Sequence, residues 1–375
     1  MSPVFEVGKS FDFGLPVRIY CGEGLLDRLK DVCPEAKRVL LVTGRGFAGA
    51  SGLVDRVRRA FKGKSVELFR EVESNPSIET VERGAVFAGS MHVDLVVGVG
   101  GGSALDAAKC IAVLASNREG FRGLLGRKNY ANPPVRMVAV PTTCGTGSEA
   151  NRYAIITDPH CNDKVTFESQ HTYPVAGILD PSVLETLPST LLVETACDAF
   201  THAFEGYTSR RSQPLTDTLA LEAMALIVRN LPPAKEGDRA ARATLLYAAC
   251  MAGVVIDHTA TTMLHAMGYY LTLKHGVPHG KANAMFLPAL FSYLEHESPG
   301  KLRHVYDLFP MNRRGPEGIK HYLRDLGIDV SALTCGMNLS ETEQFADYVL
   351  GRKNTACTAG TVTREILVQL LRWSW

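Results

Sequence analysis

The sequence predicts two domains: an α/β domain built on a Rossmann-like parallel sheet over residues 1–187, and an all-helical domain over residues 188–375. Three observations predict it. Short β-branched runs alternate with helical segments up to about residue 185, the pattern of a parallel sheet covered on both faces. After Leu187-Pro188-Ser189 the segments become long, amphipathic and rich in Ala and Leu, with no convincing strand among them. The 375 residues also exceed what one hydrophobic core usually organises.

In chain order, RVLLVTG (38–44), SVELFREV (65–72), VDLVVGVG (93–100) and RMVAVPTT (136–143) read as strands bounded by turn residues. Between them, GASGLVDRVRRAF (49–61) and SIETVERGAVFAG (77–89) carry apolar residues at helical spacing. The second half reads as helices over 189–209, 214–231, 239–256 and 282–296. There is no internal repeat and no low-complexity tract. Ligands of open α/β sheets bind beyond the C-terminal strand ends, so a cleft between the two halves is the expected site.

Hydrophobic residues make up 46% and charged residues 21% of the chain, an ordinary globular composition. A formal net charge of +1 gives no global field toward nucleic acid or an acidic membrane, and neither is an expected partner. The opening MSPVFEVGKSFDFG has no basic stretch followed by an apolar one, so no signal peptide is expected. No apolar run approaches the roughly 20 residues of a membrane helix. Nine dispersed cysteines without a C-x-x-C pair fit reduced thiols in a cytoplasm better than a disulfide framework.

GVGGGSALDAAK (98–109) leaves an apolar strand through glycines and enters a helix. Gly100, Gly101 and Gly102 let backbone N–H groups point outward with no Cβ in the way. The helix starting near Ser103 adds partial positive charge for a phosphate. The loop matches neither G-x-G-x-x-G nor the G-x-x-x-x-G-K-[ST] pattern. A second polar loop, PTTCGTGSEAN (141–151), puts the hydroxyls of Thr142, Thr143, Thr146 and Ser148 at the next strand end. Two such loops on neighbouring strands favour a pyrophosphate-bearing cofactor over a tight turn.

CDAFTHAFE (197–205) sets Asp198 and His202 four apart on one helix face. Alone, the pair is an ordinary hydrogen bond. MLHAMGYYLTLKHGVPHGKAN (263–283) adds His265, in an apolar setting, and His279, in a Pro-His-Gly turn. Three histidines and an aspartate in the helical half suit a divalent transition metal that polarises a carbonyl or stabilises an alkoxide. His92, His160, His296, His304 and His321 lie in polar segments and receive no role.

A strand followed by GGGS-x-x-D-x-x-K, then PTT-x-GTGSE, D-A-x-x-H-A-x-E and H-x(13)-H ending in PHG resembles the iron-containing alcohol dehydrogenase family, from the N-terminal strand to about residue 290. The resemblance implies a dehydroquinate synthase-like two-domain architecture and NAD(P)-dependent interconversion of alcohols with aldehydes or ketones. It places metal ligands at Asp198, His202, His265 and His279, with Fe2+ favoured and Zn2+ the alternative. It places cofactor contacts at Gly100, Gly101, Gly102, Ser103, Asp106, Thr142, Thr143, Thr146 and Ser148, and matches Lys164 to a family lysine near the nicotinamide half. A small alcohol or aldehyde is the expected partner, and a homo-oligomer, dimer or higher, the expected assembly.

The chain departs from the family pattern in places. Tyr269 stands where the family often carries a proton-relay histidine; tyrosine, with a pKa near ~10 in water, passes a proton in a hydrogen-bonded chain but is a poor free base. His275 is the candidate substitute. VVIDHTATTML (254–264) brings Asp257, His258, Thr259, Thr261 and Thr262 to a wall that relatives keep more apolar, pointing to a polar or anionic aldehyde; the bland reading is that some of these side chains cap or face away. The C-terminal stretch lacks the family's Asn-Pro-Arg turn. In VTGRGF (42–47), Gly44 stands where NAD-preferring members often place Asp, and Arg45 follows. Loss of that carboxylate removes repulsion of a 2′-phosphate, and a guanidinium pairs with one. The expectation is NADPH over NADH, and hence aldehyde reduction. The alternatives are a polyol-phosphate dehydrogenase or cyclising synthase on the same fold, a reductase of an anionic keto, enol or semialdehyde substrate such as maleylacetate, and a catalytically silent nucleotide-binding relative. The intact metal and loop motifs speak against each.

Overall fold

A computed structural model describes residues 10–45, 52–161 and 163–374. The first nine residues, the start of the expected 49–61 helix and the last two residues of VTGRGF lie outside the described residues. The chain divides into two units, one of Gly14–Thr143 and Gly147–Leu187, the other containing Cys144–Thr146 and Pro188–Trp375. Residues 10–13 and Cys144–Thr146, assigned to the α/β half on sequence, belong to the helical unit instead. They are short and carry no periodicity of their own, so only tertiary packing assigns them.

The α/β unit is a six-stranded sheet in the order β1-β8-β5-β4-β2-β3, every pairing parallel. Its strands are β1 (Arg18–Cys21), β2 (Arg38–Gly44), β3 (Ser65–Val72), β4 (Leu95–Gly100), β5 (Arg136–Pro141) and β8 (Ala176–Leu179). β6 (Ala154–Asp158) and β7 (Asp163–Phe167) form a separate antiparallel hairpin. β1, β6, β7 and β8 are absent from the sequence expectation; at four or five residues each they leave little pattern to read. Helices α1 (Leu29–Val32), α2 (Leu53–Ala60), α3 (Ile78–Ser90), α4 (Gly102–Leu114) and α5 (Gly120–Leu124) lie between strands. The chain steps outward from β2 to β3, then returns past β2 to β4, so the winding direction reverses between β2 and β4.

β4 is buried at every residue, and α4 lies against it almost wholly buried. That approach needs Gly98: a Cβ there would stand 2.9 Å from the Ala108 Cβ. Ala104, Ala107 and Ala108 supply the matching small face of α4.

The helical unit comprises α6 (Ser189–Thr208), α7 (Pro214–Lys235), α8 (Arg239–Thr259), α9 (Met263–His275), α10 (His279–Glu297), α11 (Pro299–Tyr306), α12 (Gly315–Asp325), α13 (Thr342–Leu350) and α14 (Arg364–Trp373). α6, α7 and α8 pack on one another, and α10 packs on both α6 and α9. α8 is long and apolar enough to cross a membrane, contrary to the sequence reading; 72% of its apolar window is buried by protein, so its apolarity is used in packing. Every residue of α6 from Ala196 to Thr208 is buried. A helix covered on all sides is a core helix, and polar groups on it must find partners. Asp198, His202 and Glu205 are among those groups. All nine cysteines are free thiols.

Candidate metal and dinucleotide sites

α6 places Asp198 and His202 on one face; α9 brings His265 from its first turn, and α10 brings His279 as its first residue. The Nε2 atoms of His265, His279 and His202 lie 3.6, 3.8 and 4.0 Å from the same Asp198 Oδ1. Ligands ~2.1 Å from a tetrahedral ion stand ~3.4 Å apart. Among the described residues, Asp198, His202 and His265 offer ligand atoms all within 4.8 Å of one another, the spacing that could hold a metal ion, and His279 stands at the edge of that group. Asp198, His202 and His265 are buried, and His279 is half-buried. Asn283, one turn after His279, donates to Asp198 Oδ1 at 2.8 Å, with the same nitrogen 3.1 and 3.2 Å from the Nε2 atoms of His265 and His279. A partial positive charge of the chain's own thus lies where the ligand atoms converge.

The electrostatics suit a cation. Burial opposes ionisation of Asp198, but the surrounding histidines override it and hold the carboxyl well below the usual range. Burial lowers the pKa of His202, and His265 nearby adds to that, leaving the neutral ligand form. At His265 burial also disfavours charge, yet Glu205 and Asp198 raise its pKa to about 10. Glu205, buried three residues after His202, pairs with His265 Nδ1.

Tyr269 lies flat on His279, with ring centroids 5.0 Å apart, and edge-on to His265. His275 is not brought to Asp198, His202, His265 or His279. It lies ten residues along α9 from His265, ~15 Å at 1.5 Å per residue, and its Nε2 is 2.9 Å from Glu341 Oε2.

Most of the polar stretch 257–262 is used within the protein. The Thr259 hydroxyl donates to the carbonyls of Val255 and Ala260, and the Thr262 hydroxyl to Glu205. Asp257 is buried, and His258 stacks on Phe13. Thr261 accepts from Asn354, and Thr358 caps the Met263 N–H at 3.0 Å. The atypical C-terminal stretch therefore packs over the entry to α9.

In the α/β unit, Gly44 ends β2 and Gly100 ends β4, the strand pair where the winding reverses and where doubly wound sheets bind ligands. Gly101 precedes α4 with no side-chain cap, and Gly101, Gly102 and Ser103 are half-buried. Thr142 N–H donates to Gly100 O at 2.9 Å, and Thr143 borders Gly101. Thr146 groups with the helical unit and is half-buried. Beneath the loop, Asp106 accepts from the Ser148 hydroxyl at 2.7 Å and from Ile155 N–H at 2.8 Å. Lys164 donates to Asn75 Oδ1 at 2.6 Å, while Asn75 N–H donates to Ser103 Oγ at 3.2 Å. Burial lowers Lys164 to about 8, with Asp106 and Asp163 opposing. Arg45 directs Nε to the Glu71 carbonyl and lies 3.8 Å from Glu73.

Sequence reasoning gave no role to Glu205, Asn283, Asn75 or buried Lys109, which donates to Tyr153 O at 2.6 Å. Signals existed. Glu205 follows His202 by three and Asn283 follows His279 by four, both same-face helical spacings, and Asn75 precedes a proline.

Residues 16–181 match the iron-containing alcohol dehydrogenase model, and residues 192–375 match the C-terminal domain model of the Fe-containing alcohol dehydrogenase family. The chain is 33% identical over 287 residues to an NADPH-dependent butanol dehydrogenase of Clostridium saccharobutylicum, covering 75% of this chain and 73% of that one. It is 31% identical over 346 residues to a 1,3-propanediol dehydrogenase of Citrobacter freundii, covering 85% and 89% respectively. The crystal structure of an iron-containing alcohol dehydrogenase from Thermotoga maritima superimposes with a TM-score of 0.88 at 35% identity, covering 97% of this chain and 99% of that one. The chain belongs to the iron-containing alcohol dehydrogenase family.

Proposed function

We propose that the protein is an NADPH-preferring, iron-dependent reductase of a small aldehyde, interconverting it with its primary alcohol. One observation carries this reading: three histidine Nε2 atoms converge on Asp198 Oδ1 in a chain of this family. The NADPH-dependent butanol dehydrogenase and the 1,3-propanediol dehydrogenase among its relatives support the substrate class.

Asp198, His202, His265 and His279 would hold the divalent ion. When bound, the ion supplies Lewis acidity to the substrate oxygen, and the nicotinamide supplies or accepts the hydride. Gly100, Gly101, Gly102 and Ser103 present backbone N–H groups and the start of α4 to the pyrophosphate. Thr142, Thr143 and Thr146 add hydroxyl contacts. Asp106 and Ser148, tied to each other, brace the loop from beneath. Lys164, positioned by Asn75, adds positive charge beside Ser103. Arg45 favours the 2′-phosphate, and Gly44 leaves no carboxylate to repel it. Tyr269 stacks on His279 and lies edge-on to His265. Its hydroxyl would give a proton to the oxygen of the newly formed alkoxide and regain one from solvent, the reverse holding for alcohol oxidation.

The test is metal removal. Chelator-treated protein should lose NADPH-dependent reduction of short hydroxylated and unsubstituted aldehydes, and Fe2+ should restore it, with Zn2+ as the comparison. His265→Ala should abolish turnover while cofactor binding and fold persist. Full activity in metal-free protein would overturn the reading.

A further inference from the structure

We propose that Glu205 is a positioning residue of the metal centre: it fixes which nitrogen of His265 faces the cation and ties that ligand to the turn before it. The inference rests on the metal reading above and extends it to a residue that is not a ligand.

Glu205 is fully buried on α6, one turn beyond His202. Its Oε2 pairs with His265 Nδ1. Its Oε1 accepts from Thr262 N–H at 2.8 Å, from the Thr262 hydroxyl at 2.5 Å and from His265 N–H at 3.3 Å. A carboxylate only accepts, so Nδ1 must bring the proton. Nε2, 3.6 Å from Asp198 Oδ1, is then the nitrogen committed to the cation. The N–H groups held by Oε1 are those of the N-cap Thr262, which provides no side-chain cap of its own, and of His265 in the first turn of α9. Glu205 thus caps the helix from outside while it orients the ligand that helix carries.

A purely structural carboxylate is replaceable by glutamine, whose Oε1 accepts the same N–H bonds and the same hydroxyl. The amide cannot accept from Nδ1. Its Nε2 is a donor, so the His265 proton must move to the ring nitrogen that faces the cation, and the ligand is lost. Capping and ligand orientation therefore separate in one substitution.

The experiment uses the full chain, stripped of metal and titrated with Co2+ alone. Affinity is read by calorimetry and by the visible absorption of bound Co2+, and the melting temperature of the metal-free protein is the second readout. Metal-free Glu205→Gln should keep the fold, with a melting temperature lowered by loss of the buried pair with His265, and bind Co2+ ~10–100-fold more weakly. Thr262→Val, which removes one cap bond and leaves the His265 ring alone, should lower the melting temperature and keep Co2+ affinity. Should Glu205→Gln fail to fold, 15N chemical shifts of the His265 ring in Zn2+-loaded wild type decide: Nδ1 protonated and Nε2 bound is the expected state. Unchanged Co2+ affinity in a folded Glu205→Gln, or Nδ1 as the bound nitrogen, would overturn the proposal. Failure of the metal reading differs, because wild type itself would then take up no Co2+.

Discussion

Gly101 and Thr143 face each other at neighbouring strand ends, so closely that a Cβ on Gly101 would stand 3.3 Å from Thr143 Cγ2 and 3.4 Å from its Oγ1. The pairing of Gly100 with Pro141 and the bond from Thr142 N–H to Gly100 O bring the two loops together. They form one polar wall at the end of β4 and β5.

Gly101→Val tests that wall. The Cβ fits if Thr143 shifts by tenths of an ångström, but the branched methyl groups reach into the space above the backbone N–H groups. NADPH affinity should fall at least tenfold, or ~1.4 kcal/mol, with little change in melting temperature. Fluorescence titration measures it, and an unchanged dissociation constant would reduce the loop to a turn.

The proposed NADPH preference is tested at Gly44 and Arg45. Among the described residues, a Cβ at Gly44 meets the Val72 carbonyl at 3.6 Å, an ordinary contact that leaves room for aspartate. Gly44→Asp should shift the NADPH-to-NADH ratio of kcat/KM toward NADH by about tenfold or more, ~1.4 kcal/mol. Arg45→Ala should weaken NADPH alone. Equal efficiency with both cofactors in wild type, unmoved by Gly44→Asp, would defeat the assignment.

Lys164 predicts a pH dependence. Burial depresses its pKa from the ordinary 10.5 to about 8. The charged form, which attracts a pyrophosphate, is therefore lost as pH rises through about 8, and cofactor affinity should fall there. Lys164→Met should bind weakly on both sides of that pH, flattening the profile. The stability effect has the opposite sense. Between about 8 and 10.5 the unfolded chain binds more protons than the folded one, so this group makes stability rise with pH in that window. A wild-type binding profile without a step near there would remove Lys164 from the cofactor site.

The legible parts of this molecule are those with long periods or fixed local spacing. β2 and β3 coincide with the expected segments because each alternates or runs apolar for seven or eight residues. Asp198 and His202 are readable because helical spacing brings them together. Glu205 was visible in the same motif, but nothing local says that its partners lie on α9, 57 and 60 residues later. Likewise the polarity of Thr259 and Thr262 looked like a substrate wall, because a sequence does not reveal that a hydroxyl is already bonded. The placement of Cys144–Thr146 with the helices is tertiary in the same sense: Gly145 packs on Thr195, where a Cβ would stand 3.0 Å from the threonine Cβ.

Ala260 carries the last prediction. It follows α8 with φ +57° and ψ 174°, a region that glycine occupies freely and alanine does not. Such a conformation costs ~1–3 kcal/mol and persists only when neighbours over-determine it. They do so here. Ala260 N–H is held by Ile256 O, its carbonyl by the Thr259 hydroxyl, and the Thr259 carbonyl by Ser209. Two residues on, Thr262 is fixed by Glu205. Glycine would relieve the strain while losing ~0.5–1 kcal/mol to unfolded-chain entropy, a net gain of ~1 kcal/mol. Ala260→Gly should therefore raise the melting temperature by roughly 2–4 °C, whereas Ala260→Val should lower it. Because the surrounding bonds hold the turn independently of the side chain, Co2+ affinity at His265 should not move with Ala260→Gly. A lower melting temperature in Ala260→Gly would mean that the turn is not strained at this residue. Weaker Co2+ binding in a more stable Ala260→Gly would mean instead that the strain itself helps to place His265.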